Sequence, residues 1–242
     1  MVDRAFSETR LAALYDTMCY GRPEFPLFYV PLVMAAESVL DVGCGTGELL
    51  ITAREAGHTG RLCGVDPADA MLDVARRRDD VEWLLGEAET LRIDSEFELA
   101  VMTGNAFQVL VTDEQLRAAL RAIRAALVPG GRFAFETRNP ARREWERWGP
   151  GDIEVDGVAV HSEPVGPAVV EGELLHFGNV FTSPSWSEPE VSYSTLRLLT
   201  QEALNAFLTE AGFEVAEQYG DWHGEPVSDS SLEIVTIARR SS

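Results

Sequence analysis

The chain has 242 residues, 45% of them hydrophobic; this fits one α/β domain with a small insertion and a substantial core, and it argues against disorder. The formal net charge of −20 makes nucleic acids and anionic membranes poor partners, because both are gripped mainly by cations on phosphate. All 20 basic residues are Arg, which excludes Schiff-base and pyridoxal-phosphate chemistry and the phosphate-gripping Lys of nucleoside triphosphatases.

Residues 5–20 read as a helix with Leu11, Leu14, Tyr15 and Met18 on one face. Its charged start, with Asp3, Arg4, Glu8 and Arg10, is unlike a signal peptide, so a cytoplasmic location is expected. The stretch from Gly21 to Pro31 holds three prolines and reads as a linker or cap. An alternation then begins: strand 38–41, helix 47–57, strand 61–65, helix 68–78, strands 81–85 and 98–102, helix 113–127 and strand 132–136. Short apolar strands alternating with helices imply a parallel sheet covered on both faces, an α/β fold. From about 152 to 199 the period changes to two, over runs 153–161, 169–181 and 190–199 broken by Gly157, Gly166-Pro167, Gly172 and Ser183-Pro184. That pattern predicts a small antiparallel sheet. A helix over 200–211 opens at Thr200 and closes at Gly212, and strands 213–219 and 232–238 complete the main sheet. The expected division is a helical cap over 1–35, a ligand-binding domain over 36–140 and 200–242, and an antiparallel β lid over 141–199.

The chemistry centres on Asp41-Val42-Gly43-Cys44-Gly45-Thr46-Gly47, a glycine turn between a strand and a helix. Glycines let the backbone approach a ligand closely. A dinucleotide fingerprint would place glycine at position 48, against the pyrophosphate. Glu48 stands there instead, and its charge would repel that group. Acidic groups around a glycine turn suit a cationic ligand, such as a sulfonium bearing an α-amino group. Asp66 ends the second strand, at the position where a carboxylate accepts two hydrogen bonds from a ribose diol. Its alternative is to cap the helix behind Pro67. Cys19, Cys44 and Cys63 show no metal-type spacing and no even pairing, so no metal is expected and reduced thiols are.

At these residues the chain resembles the class I, Rossmann-like S-adenosylmethionine-dependent methyltransferases. Residues 39–50 look like their first motif and 64–72 like their second; Gly86-Glu87-Ala88-Glu89 resembles the segment after strand three, and 127–132 the turn before strand five. The resemblance implies a doubly wound, seven-stranded, mostly parallel sheet with an N-terminal helical cap and a β lid. It also implies S-adenosylmethionine as donor and S-adenosylhomocysteine as product. By it the donor would contact Asp41, Gly43, Cys44, Gly45, Gly47, Asp66, Pro67, Met71, Glu87, Ala88, Thr103 and Tyr15. Asp66 would take the ribose hydroxyls, Met71 the adenine face, and Glu87 the adenine amino group. Glu87 departs from the family's usual Asp.

On the acceptor side, the loop from Met102 to Gln108 would lie beside the donor's methionyl part. Asn105 and Gln108 are candidate hydrogen-bonding groups and Phe107 a candidate wall; a polar helix start with one buried aromatic is the alternative. The insertion is similar in placement to the lids of glycine N-methyltransferase and amino-sugar N-methyltransferases. On its last strand Tyr193 and Arg197 share a face with Val191 and Thr195, opposite Leu196 and Leu198, and are candidate acceptor contacts. Arg138, at the end of strand five, could clamp a carboxylate. Trp222 is a further candidate, and Tyr15, Tyr20 and Phe28 could close the donor pocket. His58 reads as a surface cap behind a helix. If a base is needed for an alcohol, His161, His223 and Tyr193 are candidates; His176 also lies in the lid. An amine needs none. The expected reaction is in-line methyl transfer to the nitrogen or oxygen of a small molecule. The competing readings are an NAD(P)-dependent oxidoreductase and a non-catalytic module that keeps the fold.

Overall fold

The computed structural model describes residues 2–19, 24–155 and 157–241. Two sheets organise them. In chain order the elements are α1 (Arg4–Ser7), α2 (Thr9–Cys19), α3 (Glu24–Met34), β1 (Ser38–Val42), α4 (Glu48–Glu55), β2 (Arg61–Asp66), α5 (Asp69–Ala75), β3 (Glu82–Leu85), β4 (Phe97–Met102), α6 (Asp113–Ala126) and β5 (Leu127–Arg138). There follow β6 (Gly151–Val155), β7 (Val158–Pro164), β8 (Val169–Glu171), β9 (Leu174–Thr182), β10 (Glu190–Arg197), α7 (Gln201–Glu210), β11 (Phe213–Tyr219) and β12 (Glu233–Arg240). The seven-stranded sheet has the order β11-β12-β5-β4-β1-β2-β3. Its members β1 to β5 run parallel, and β12 is antiparallel to both β5 and β11. The chain reverses its winding between β1 and β4, the place where open α/β sheets bind ligands beyond the carboxyl ends of their strands.

The two faces are apolar because alternate strand residues point to opposite sides. Leu40, Val42, Ala100, Phe133 and Phe135 pack under α6 and α7, through Leu116, Leu120, Ile123, Leu204 and Leu208. Val39, Leu99, Val101, Ala134 and Ile237 pack under α3 and α4, through Tyr29, Val33 and Leu50. On this second face, alternation carries the apolar stripe into Asp41 on β1, Glu136 on β5 and Glu233 on β12, all buried. The ligand end of the face under α3 is therefore carboxylate.

Three expectations about elements need correction. The single helix over 5–20 is two helices, because Glu8 turns extended and its carboxylate accepts from the backbone N–H of Arg10 (2.8 Å) and Leu11 (3.2 Å), capping α2. The linker reading of 21–31 gives way to α3: Pro26 falls in a first turn that needs no N–H donor, and interior Pro31 is tolerated where Tyr29 and Val33 are fully buried. The three period-two runs are five strands, with order β10-β9-β7-β6 and β8 on β9. Gly157 and Gly172, at φ +78° and +62°, turn two of those runs back on themselves as hairpins. Among the described residues no helix is long and apolar enough to cross a membrane.

Candidate active site

The glycine turn leaves β1 and folds over the end of β2: the N–H groups of Gly43 and Cys44 donate to Val65 O at 2.7 and 3.1 Å. Gly43, Gly45 and Gly47 have φ of +74°, +55° and +82°, a conformation that other residues rarely adopt. They face different neighbours. A side chain on Gly43 would meet Ala106 Cβ at 2.9 Å, so the turn and the loop after β4 nearly touch. One on Gly47 would meet the Trp83 ring at 2.2 Å. The third glycine thus makes room for the half-buried Trp83 indole packed against the turn. Beside Gly45 and Gly104 the nearest group is Tyr15, at 4.0 and 3.8 Å. The Tyr15 ring of α2 therefore lies over both the glycine turn and the loop after β4.

Asp66 is held by the turn. Its Oδ2 accepts from Gly45 N–H and its Oδ1 from Ala68 N–H, both at 2.8 Å. These bonds orient the carboxylate and leave lone pairs on both oxygens, which fits a vicinal diol. Burial pushes its pKa up, and the two backbone bonds pull it back. Asp41 is 1% exposed, and its Oδ1 has no hydrogen-bond partner. Burial, then the charges of Asp66 and Glu136, push its pKa up to about 8. Carboxylates so placed gain from a cation above them, so the site fits a sulfonium with an ammonium group. Cys44 is buried beside Asp41 and Asp66; burial first and those charges second push its thiol well up, which leaves it inert.

The other donor candidates surround this centre. Met71 and Ala68 are buried against Ala12, with Phe6 and Tyr15 alongside, so Met71 ties α5 to α2. Ala88 is buried; Glu87 and Pro67 are exposed at the rim, and Gly86 N–H donates to Asp66 O at 3.1 Å. Thr103 is half-buried, and its carbonyl accepts from Ala106 N–H at 3.2 Å.

After β4, Gly104 and Asn105 adopt φ +66° and +62°. Asn105 N–H donates to Glu136 Oε1 at 3.0 Å, while Asn105 Oδ1 is buried with no hydrogen-bond partner. Glu136 Oε2 in turn accepts from the fully buried Tyr29 hydroxyl. Gln108 Nε2 donates to Arg197 O at 2.9 Å, and its Oε1 accepts from Arg138 N and Nη1, both at 3.2 Å. The Arg138 guanidinium lies 5.4 Å over Trp148, whose ring meets Phe177 edge-on at 4.9 Å. This joins β5 to the second sheet.

Several acceptor-side readings change. Phe107 is no wall: it is buried and stacked 4.4 Å from Phe135, because the short turn after Asn105 points it into the core under α6. Tyr193 and Arg197 lie on the face of the second sheet turned away from α1 and α2. Ser192 Oγ accepts from Ala5 N–H at 2.9 Å and Glu190 takes Arg4 and Arg10, so the even-numbered residues of β10 face the cap. Tyr193, 66% exposed, lies on the opposite face over Gly178. Arg197 swings away to Glu173 at 2.8 Å and Asp113 at 2.7 Å. His161, bonded to exposed Asp152 at 2.7 Å, and His176, bonded to Thr195 at 2.9 Å, share the outer face. His58 is buried, not a surface cap, with Nε2 2.8 Å from Ala36 O. Trp222, His223 and Phe28 line a groove of about 310 Å³ between α3, β11 and β12. Tyr20 lies outside the described residues, as do the side chains of Met18 and Cys19.

Reading the sequence alone missed Glu136, Tyr29, Trp83 and Asp16. Asp16 on α2 accepts from Thr46 Oγ1 in the glycine turn. Only Glu136 carried a signal, a lone carboxylate ending an apolar strand.

Fold and site define a class I methyltransferase, and comparison with known proteins agrees. Residues 39–131 match the model of a methyltransferase domain. The chain is 33% identical over 156 residues to the 2-phytyl-1,4-naphtoquinone methyltransferase of Thermosynechococcus vestitus, covering 57% of this chain and 68% of that one. It is 28% identical over 215 residues to the cypemycin N-terminal methyltransferase of a Streptomyces species, covering 84% and 83%. The CcbJ methyltransferase of Streptomyces caelestis shares the fold with a TM-score of 0.79 at 22% identity, over the whole of both chains. The chain belongs to the class I S-adenosylmethionine-dependent methyltransferases. Its methyl donor is S-adenosylmethionine.

Proposed function

We propose that this enzyme methylates the amine nitrogen of a small molecule held between the loop after β4 and the inner face of the lid, segment 141–199. The observation that carries the reading is Asn105 Oδ1, buried and without a partner at the ligand end of the sheet. It is an acceptor waiting for an N–H. No histidine supports a base-assisted alternative: His58 is under the cap, His161 and His176 face outward, and His223 lines the α3 groove. The Streptomyces relative is by name an N-terminal methyltransferase, which agrees with a nitrogen acceptor. Net charge of −20 favours a small cytoplasmic acceptor over a nucleic acid.

The bound donor supplies an electrophilic methyl group. Asp66 would hold its ribose diol, Asp41 its cationic end, and Tyr15 with α2 would exclude water. Asn105 would orient the amine so that its lone pair meets the methyl carbon opposite sulfur, at about 3 Å in the near-attack geometry. The new N–C bond forms as the S–C bond breaks, and the resulting ammonium releases its proton to solvent. Arg138, steadied by Gln108 and Trp148, would take an acceptor carboxylate. Incubation with methyl-labelled donor and a panel of amines, amino sugars, phenols and carboxylic acids tests this. Label in amines is expected; label confined to phenols or carboxylic acids overturns it.

A further inference from the structure

The Asn105 backbone conformation needs a cause. Asn enters the left-handed region more readily than other non-glycine side chains, and at φ +62° the conformation still costs energy that its contacts offset. Two bonds hold this backbone: Asn105 N–H donates to Glu136 Oε1 at 3.0 Å, and Asn105 O accepts from Gln108 N–H at 3.0 Å, so Glu136 fixes the side of the peptide that faces β5. Glu136 is itself 1% exposed, and its second oxygen accepts from Tyr29, which α3 buries completely. Strand alternation on β5 puts Glu136 on the α3 face, directly behind the loop that Asn105 begins. The chain of contacts runs from α3 through Tyr29 and Glu136 to the Asn105 backbone, and ends in an amide oxygen with no protein partner.

We infer that Glu136 is a positioning residue for the acceptor: by fixing the Asn105 backbone in its left-handed conformation, it aims Asn105 Oδ1 at the amine. This rests on the nitrogen-acceptor reading above. A buried carboxylate suits the task, because a charged acceptor makes a stronger hydrogen bond to an amide than a neutral one does. Glu136 touches no reacting atom in this scheme, so its loss acts through the loop.

Amide exchange of Asn105 in the full-length, nitrogen-15-labelled chain saturated with S-adenosylhomocysteine measures the hold directly. Glu136→Ala should speed Asn105 exchange by about tenfold or more, and Glu136→Gln, which keeps an acceptor oxygen, by much less. Michaelis constants for the amine that takes label best in the panel should rise about tenfold in Glu136→Ala and recover in Glu136→Gln, with affinity for S-adenosylhomocysteine changed less than about threefold. If Glu136→Ala does not fold, Tyr29→Phe removes the outer bond and should shift both readouts the same way. Unchanged Asn105 exchange in Glu136→Ala overturns the inference, as does Glu136→Gln being equally damaging, or donor affinity falling in step with the Michaelis constant. Exchange needs no acceptor, so failure of the amine panel would sink the nitrogen reading and leave this measurement standing.

Discussion

Asp16 of α2 accepts a hydrogen bond from Thr46 Oγ1 inside the glycine turn, so a side-chain contact between residues far apart in the chain ties α2 to that turn. The Asp16 carboxyl is half-buried; burial raises its pKa, and the Thr46 bond lowers it. Tyr15, one residue earlier, lies near both Gly45 and Gly104.

Thr46→Val should loosen that tie at a cost of about 1 kcal/mol, the net worth of such a bond. The expected result is several-fold faster release of S-adenosylhomocysteine, measured by stopped-flow competition. An unchanged release rate would show that α2 is held elsewhere.

The Asp41 carboxyl has a folded pKa of about 8 against an ordinary value of 3.8, from burial first and then Asp66 and Glu136. Between about pH 4 and pH 8 the native chain keeps a proton that the unfolded chain has lost, so this group's contribution to stability declines as pH rises through that window. A cation beside Asp41 reverses the preference. The affinities of S-adenosylmethionine and of S-adenosylhomocysteine, which share the α-ammonium, should both rise with pH across the same range, with release of a proton. Calorimetry in buffers of different ionisation enthalpy measures it, and Asp41→Asn should flatten the profile.

Trp83 predicts a pair of compensating variants. A side chain at Gly64 would meet its ring at 2.5 Å and Cys44 Sγ at 2.8 Å. Gly64→Ala should cost about 1–3 kcal/mol by overpacking, read as a lower melting temperature. Adding Trp83→Leu should return part of that loss; strict additivity would refute the packing account.

Arg197 and Tyr193 should behave unlike acceptor contacts. Arg197 joins β10 to Glu173 and Asp113 and lies 5.2 Å over Phe207. With its partners half-exposed, Arg197→Met should cost about 1–2 kcal/mol of stability. Tyr193→Ala should leave the acceptor Michaelis constant within about twofold, because that ring touches the outer lid face only. A large rise in that constant would return Tyr193 to the site.

Elements of the main sheet were legible because their strands are short apolar runs closed by Gly, Pro or Asp. Thr200, read as the start of α7, does cap it, accepting from Ala203 N–H at 3.2 Å. The α3 segment was not legible: its prolines signal a break, and the burial of Tyr29 and Val33 that outweighs them comes from strands far along the chain. Phe107 reads equally well as wall or core, since periodicity cannot say which way a short turn points.

What the sequence by itself determined is the family and its methyl donor. The turn from Asp41 to Gly47, the acid at Asp66 and the alternation of strands and helices are local, and local sterics and charge leave few ligands that fit them. The acceptor end was decided by tertiary structure alone. Alternation along β10 separates two faces without saying which one looks inward, and that choice was made by the docking of α1 on Ser192 and Glu190. Likewise Glu136 acquires its place behind Asn105 only when β4 and β5 pair and α3 brings Tyr29 over them. Hydrogen bonds between residues distant in the chain depend on register and packing, which no local pattern encodes.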